Sequence, residues 1–282
     1  MKNEKIYNKC KTDLILGFQL EKMNTTYNLG YSLNAASNIG NRENQEDSVI
    51  ILEHEKSKEI KLLAVADGVG GREGSEQASS YLLQQLSMEF DMLPVKYYEN
   101  IELIKEHFSS AISKINETII KNNLGQTTLS MAIVLKNKTI IFNIGDSRIY
   151  TYKKNRLKQE TRDDSLVQEL YEQGEIPTKD MMRFHQKSNV INNCVGIKEM
   201  KISTKAIKNN YELLMAATDG VTDFLSENEI GNTIKISKNK NISEQIVKKA
   251  IKNVSRSNYI GEYYREKSNH DNATAATLIR KR

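Results

Sequence analysis

Thr127-Thr128-Leu129-Ser130-Met131-Ala132-Ile133-Val134-Leu135 is followed by Lys136-Asn137-Lys138 and then by Thr139-Ile140-Ile141-Phe142-Asn143-Ile144. Two apolar, β-branched runs thus flank a short polar turn, the pattern of a β-hairpin. So short a connection joins antiparallel neighbours, because a parallel pair needs a crossover of a dozen residues or more. Working outward, similar strand-like runs occur at 27–33, 48–52, 60–66, 148–152, 212–217 and 273–279. Helical spacing lies between them: Ile104, Phe108, Ala111, Ile112, Ile115 and Ile119 form one apolar stripe, as do Ala78, Tyr81, Leu82 and Leu86. Ser226 with Glu229 has capping-box spacing and Asn241 with Glu244 resembles it, which predicts helix starts just after Phe224 and before Ile242. Strands and helices come in blocks without strict alternation, so the expectation is an α+β layered fold.

The bulk composition narrows the function classes. A chain of 282 residues with 38% hydrophobic content can bury one large core, and one domain is expected. Only two prolines, Pro94 and Pro177, and no low-complexity linker mark any break. Cys10 and Cys194 make neither a disulfide framework nor a zinc knuckle, which fits a reducing compartment. The early apolar run around Leu14 to Phe18 is far short of the ~20 residues that span a bilayer, and no cleavage site follows it. The expectation is a cytoplasmic protein with no membrane partner. The formal charge of +5 invites nucleic acid, yet the lysines are mixed with acids and there is no tryptophan. The densest basic stretch, 235–252, carries Ile242, Ile246, Val247, Ala250, Ile251 and, just beyond it, Val254 at helical spacing, so it reads as a solvated helix face. No phosphate-cradling GxxxxGK[ST] or GxGxxG element supports nucleotide binding.

Acids punctuate the strand-like runs. They stand in Asn44-Gln45-Glu46-Asp47-Ser48, Ala64-Val65-Ala66-Asp67-Gly68, Ile144-Gly145-Asp146-Ser147-Arg148 and Ala216-Ala217-Thr218-Asp219-Gly220, with Asp271 before the last strand and Asp223 one helical turn after Asp219. Any one Asp-Gly after a strand reads as a turn, since both residues tolerate left-handed backbone. Repetition changes the reading, because acids at successive strand ends can meet at one sheet edge. Two like charges about 4 Å apart cost roughly 4 kcal/mol at an effective dielectric of ~20, so such a cluster takes up protons or binds cations. Oxygen-only ligands select magnesium or manganese over zinc or copper. Two such ions sharing a carboxylate can hold a water and lower its pKa from about 15.7 toward neutrality, which makes a hydrolytic site. Gly68 would let the backbone approach an ion, with Gly70 and Gly71 keeping the loop open. Arg42 could grip phosphate bidentately, although taken alone it reads as a surface salt bridge to Glu43 or Glu46.

Together these motifs resemble the metal-dependent serine/threonine protein phosphatases of the protein phosphatase 2C (PPM) family, in particular its compact bacterial members. The likeness runs in order from about Leu29 to Ile279. Arg42-Glu43-Asn44-Gln45-Glu46-Asp47 is similar to the first motif, and Ala66-Asp67-Gly68-Val69-Gly70-Gly71 to the second. Gly125-Gln126-Thr127-Thr128, Gly145-Asp146-Ser147-Arg148, Thr218-Asp219-Gly220-Val221-Thr222-Asp223 and Asp271-Asn272-Ala273-Thr274 resemble later ones. Asp164-Ser165-Leu166-Val167, Gly174-Glu175-Ile176, His185 and Val190-Ile191-Asn192 through Gly196 resemble the bacterial flap region.

The resemblance implies a four-layer αββα sandwich, two antiparallel β-sheets flanked by helices, with a flap subdomain at about 160–195 and a phosphatase domain over 27–282. Residues 1–26 have no counterpart and read as an N-terminal extension. It implies two core Mn2+ or Mg2+ ions on Glu46, Asp47, Asp67, Gly68, Asp219 and Asp271, with Asp67 bridging, and a third, looser site at Asp146 and Asp223. Arg42 would bind phosphate. Expected partners are phosphorylated proteins, substrates of a cognate serine/threonine kinase and the kinase itself, met by a monomer. Val69 stands where many eukaryotic members carry a proposed general-acid histidine, so leaving-group protonation would fall to a metal-bound water. Asp164 stands where bacterial relatives often have histidine. His54 and His107 read as surface positions, His185 as structural, and His270 as a partly exposed neighbour of Asp271 that could orient it. Two rival readings are a catalytically silent binding module on the same fold and a two-metal nuclease or phosphodiesterase. The second lacks an aromatic-lined basic groove.

Overall fold

The computed structural model describes residues 23–26, 31–70, 74–237, 241–253, 255–256, 266–267 and 269–280. Gly71, Val254 and most of the expected extension lie outside them. The strands are β1 (Met23–Thr26), β2 (Tyr31–Asn38), β3 (Asp47–His54), β4 (Ser57–Asp67), β5 (Leu129–Val134), β6 (Lys138–Ile144), β7 (Arg148–Lys153), β8 (Arg156–Gln159), β9 (Ser203–Lys208), β10 (Leu213–Ala217), β11 (Ser255–Arg256), β12 (Glu266–Lys267) and β13 (Ala273–Arg280). The helices are α1 (Ser75–Asp91), α2 (Ile101–Lys121), α3 (Leu166–Glu172), α4 (Asp219–Thr222), α5 (Glu227–Ile236) and α6 (Ile242–Lys252).

The expected hairpin forms as β5 and β6, with Val134 paired to Thr139 and Leu129 to Ile144. They sit within a five-stranded antiparallel sheet ordered β3-β4-β5-β6-β9, opposite a six-stranded one ordered β1-β2-β13-β10-β7-β8. Strand periodicity then sorts the side chains. Ile50, Leu62, Ala64, Met131, Ile133 and Phe142 face α1 and α2, whose Leu82, Leu86, Phe108 and Ile112 cover them. Val49, Ile51, Leu63, Val65, Ala132 and Ile141 face Leu33, Ala35, Leu214, Ala216, Ala276 and Leu278 of the other sheet. The outer face of that second sheet, with Tyr150, Met215 and Ala275, packs on Val221, Phe224, Ile230, Ile234, Ile246 and Val247. The αββα sandwich is therefore present. Each fully buried Phe, Leu or Ile contributes about 1.5–3 kcal/mol relative to exposure, so these three apolar layers drive the assembly.

The structure departs from the local expectations in several places. Asn241 adopts a left-handed backbone and accepts no capping bond, so α6 starts without the box expected there, whereas Ser226 and Glu229 do form one. Two edge strands, β8 and β9, were not visible in the sequence because Arg156-Leu157-Lys158-Gln159 and Ser203-Thr204-Lys205 are polar and largely exposed. His54 is not a surface residue: a bulge at Glu53/His54 ends β3 and drops its ring, fully buried, edge-on between Phe90 and Tyr98. His107 is half-buried against Glu89, and Met23–Thr26, inside the stretch set apart as an extension, pairs with β2.

Candidate active site

The acids reach one edge of the sandwich because each sits where a strand begins or ends there. Asp47 opens β3 and Asp67 closes β4, and the two are direct antiparallel partners. Asp146 lies in the β6–β7 turn, Asp219 starts α4 directly after β10, and Asp271 precedes β13, which runs antiparallel beside β10. A pocket of about 300 Å³ opens at that edge, lined by Arg42, Glu46, Asp67, Gly68, Asp146, Asp219 and Asp271 among others. Asp47 lies behind it, 1% exposed, and accepts a hydrogen bond from Thr218 Oγ1 at 2.9 Å that ties the two sheets together. Asp223 is set aside from the main pocket. It shares a small neighbouring recess with Asp146, Asp163 and Asp219.

Supporting side chains hold this edge in shape. The Asp67 backbone is clamped by Thr128, whose hydroxyl accepts from the Asp67 N–H at 3.0 Å and whose own N–H donates to the Asp67 carbonyl at 2.8 Å. Asn272 accepts from the Glu46 N–H at 2.7 Å and donates to the carbonyls of Ile39 and Asn44, wrapping the first motif around the start of β13. Arg148 is locked on buried Asp163 through Nε and Nη2. Thr218 and Asn272 were visible in the sequence only as letters within motifs, and Asp163 was missed; the arginine of Gly145-Asp146-Ser147-Arg148 was the signal that an acid must lie nearby.

The electrostatics are those of an acid cluster only partly offset by positive charge. Burial, followed by the charges of Asp47, Asp219 and Asp271, pushes the Asp67 carboxyl well above the usual carboxylate range. Burial does the same to Asp47, with Asp219 and Asp271 adding to it against the opposing hydrogen bonds of Thr274 and Thr218. Asp146 is raised by burial and then by Asp219, Asp163 and Asp223. Arg42, at the rim, does not pair with Glu43 or Glu46 as a lone surface arginine would; its Nη2 stands 2.5 Å from Asp271 Oδ2. His270 does not turn to Asp271 but lies with its ring centroid 4.3 Å from that of Phe224.

The donor set fits hard divalent ions. It is all oxygen, Asp47 Oδ1 is buried with no hydrogen-bond partner, and at Gly68 a Cβ would meet the Ser75 carbonyl oxygen at 2.7 Å, so only glycine keeps that backbone against the pocket. Among the described residues no three His, Cys, Asp or Glu side chains form a ready-made metal cage. Thr218 holds Asp47 through Oδ2 and leaves Oδ1 without a hydrogen-bond partner, whereas Arg42 is paired with Oδ2 of Asp271.

The αββα sandwich thus carries an acid-lined pocket at one edge of its sheets. The model of the protein phosphatase 2C family matches residues 35–254, and the chain belongs to that family. The serine/threonine phosphatase Stp of Listeria welshimeri is 30% identical over 204 residues, 69% of this chain and 79% of that protein. The crystal structure of the phosphatase Stp1 from Staphylococcus aureus superposes with a TM-score of 0.77 at 23% identity, covering 95% of this chain and 100% of that one. The catalytic domain of the phosphatase PstP, in complex with two manganese ions, superposes with a TM-score of 0.68 at 22% identity over 89% of this chain and 99% of that one.

Proposed function

We propose that this chain, a serine/threonine protein phosphatase of the 2C type, hydrolyses phosphoserine and phosphothreonine by direct attack of water within the pocket of Arg42, Glu46, Asp67 and Asp219. The observation that carries the proposal is the convergence of carboxylates from five separate strand ends on one pocket with an arginine at its rim. Two bound manganese or magnesium ions would supply the Lewis acidity that brings the pKa of water from about 15.7 toward neutrality. Asp47, Asp67, Asp219 and Asp271 would hold them with Glu46 and the Gly68 carbonyl, and Asp146 with Asp223 a third.

Arg42 turns its planar fork to the phosphate oxygens once Asp271 releases it, a geometry lysine cannot match. Burial and neighbouring charges favour the protonated form of the Asp67 and Asp146 carboxyls, and cations bound there would favour the ionised one. Asn189 and Ile191 of the flap segment also line the pocket. Val69 lines the pocket and carries no transferable proton, so the leaving alkoxide is protonated from water. The substrates are phosphoproteins of a serine/threonine kinase in the same cell, the kinase included, and the enzyme acts as a cytoplasmic monomer. Among the described residues no helix is long and apolar enough to cross a membrane.

The test compares wild type with Asp219→Asn in manganese-dependent release of phosphate from a phosphothreonine peptide. The expected loss is at least ~100-fold, the scale of a two-metal contribution to water activation. A wild-type protein that binds manganese normally but releases no phosphate would overturn the proposal. Calorimetry showing no divalent binding would favour a silent binding module instead.

A further inference from the structure

The segment 160–195 folds over its own small apolar cluster of Val167, Ile176, Met181 and Met182, and its two ends meet. Leu166 N–H donates to the Val190 carbonyl at 2.9 Å, Ser165 bridges Ile191, and Asn192 N–H donates to the Asp164 carbonyl at 2.8 Å. This short ladder is the base of the flap. Asp164 stands at its outermost rung and also reaches out of it. Its Oδ2 accepts the Gly145 N–H at 3.1 Å and Asn193 Nδ2 at 2.7 Å, while its own N–H donates to the Gly145 carbonyl at 3.0 Å. Asn193 in turn exchanges bonds with the Lys201 backbone at 3.0 and 2.8 Å.

Gly145 is the residue before Asp146, and its backbone has no room for a side chain. Its φ is +95°, and a Cβ there would meet Thr128 Cγ2 at 2.7 Å, the same Thr128 that clamps Asp67. Asp164 therefore joins a closely packed turn bearing a pocket acid to the flap segment that places Asn189 and Ile191 on the pocket wall. We propose that Asp164 is a positioning residue: its carboxylate oxygen welds the Gly145–Asp146 turn to both feet of the flap, so that Asp146 and the flap wall keep one fixed relation to the pocket. The proposal rests on the reading of that pocket as the phosphatase site for its kinetic consequence, but not for its structural one.

The geometry gives the tie a chemical signature. Both side-chain bonds fall on one oxygen, so an asparagine whose amide oxygen takes that place keeps both acceptor contacts, and alanine loses both. In the full-length protein, Asp164→Ala should raise the rate of trypsin cleavage after exposed Lys187, and the KM for a phosphothreonine peptide, roughly tenfold each, the scale of a lost hydrogen bond to a charged acceptor. KM should rise more than kcat falls. Asp164→Asn should return both readings to within about twofold of wild type, within the scatter of a single retained contact. Asn193→Ala, which removes one partner of the same oxygen, should raise cleavage as well and serves if Asp164→Ala does not fold.

Equal cleavage of wild type, Asp164→Ala and Asn193→Ala overturns the proposal. So does an Asp164→Asn variant as impaired as alanine, which would mean that charge and not the acceptor matters. If cleavage responds as expected while wild type releases no phosphate from the peptide, the tie stands and the reading of the pocket falls.

Discussion

Arg42 and Asp271, 229 residues apart in the chain, are ion-paired at 2.5 Å at the mouth of the acid pocket. The arginine that resembles a phosphate-binding group is thus held by a carboxylate that resembles a metal ligand. Each side chain is more than 30% exposed, at 42% and 33%, so the pair is worth no more than about 1 kcal/mol to folding. Arg42→Ala should leave the thermal midpoint within a few degrees of wild type, about the shift that 1 kcal/mol produces in a chain this size. The same change should raise the KM for a phosphothreonine peptide by roughly tenfold or more, and Arg42→Lys should restore little of it, because the bidentate fork is lost. Steady-state kinetics beside thermal melts separate the two effects.

The raised carboxyls give the metal-free protein an unusual pH dependence. Asp47, Asp67 and Asp146 have folded pKa values above their unfolded ones, chiefly through burial. Above the unfolded value of about 3.9, the folded state binds more protons than the unfolded chain, so stability falls as pH rises toward the folded values. The contribution is fully present below the unfolded pKa and is lost through the folded one. Metal-free protein should therefore melt at a higher temperature near pH 5 than near pH 8, other groups being equal. Millimolar manganese should reverse the order, since bound cations replace the protons; at 100 times the dissociation constant they add about 2.7 kcal/mol. Melts with and without a chelator measure this.

Gly68 offers a steric test. Its missing Cβ would lie 2.7 Å from the Ser75 carbonyl oxygen and 2.9 Å from Glu46 Cβ, and Ser75 is the first residue of α1 and cannot yield cheaply. Gly68→Ala should cost about 1–3 kcal/mol, the usual penalty of overpacking, seen as an earlier urea midpoint. Calorimetric titration with manganese should show weaker binding in the same variant, because the backbone beside Asp67 must move.

A fourth prediction concerns α5. Ser226 Oγ accepts from the Glu229 N–H, and Glu229 Oε2 accepts from the Ser226 N–H at 2.8 Å. Ser226→Ala should destabilise the protein by about 1 kcal/mol. Its kcat should stay at the wild-type value, as the box lies outside the acid pocket.

That capping box and the β5–β6 hairpin were legible because each is a local rule: neighbouring residues satisfy one another's backbone groups or alternate across a pleat. The apolar stripes of α1 and α2 were legible for the same reason, and Ile104, Phe108 and Ile112 are all buried as their spacing requires. The edge strands β8 and β9 escaped because only the neighbours β7 and β6 make them strands. His54 escaped because a bulge and the approach of Phe90 and Tyr98, not its sequence neighbours, bury it.

By itself the sequence determined the inventory: apolar runs of the right period, an all-oxygen set of acids at strand ends, and an arginine beside the first pair. Tertiary structure alone decided the relations between them. It set Asp47 opposite Asp67, bound Asp47 to Thr218, paired Arg42 with Asp271 and left Asp223 in a side recess. The reason is physical. Periodicity and turn chemistry act over a few residues, whereas the distance between two carboxylates depends on how separately formed strands are ordered and packed, which no local stretch of chain encodes.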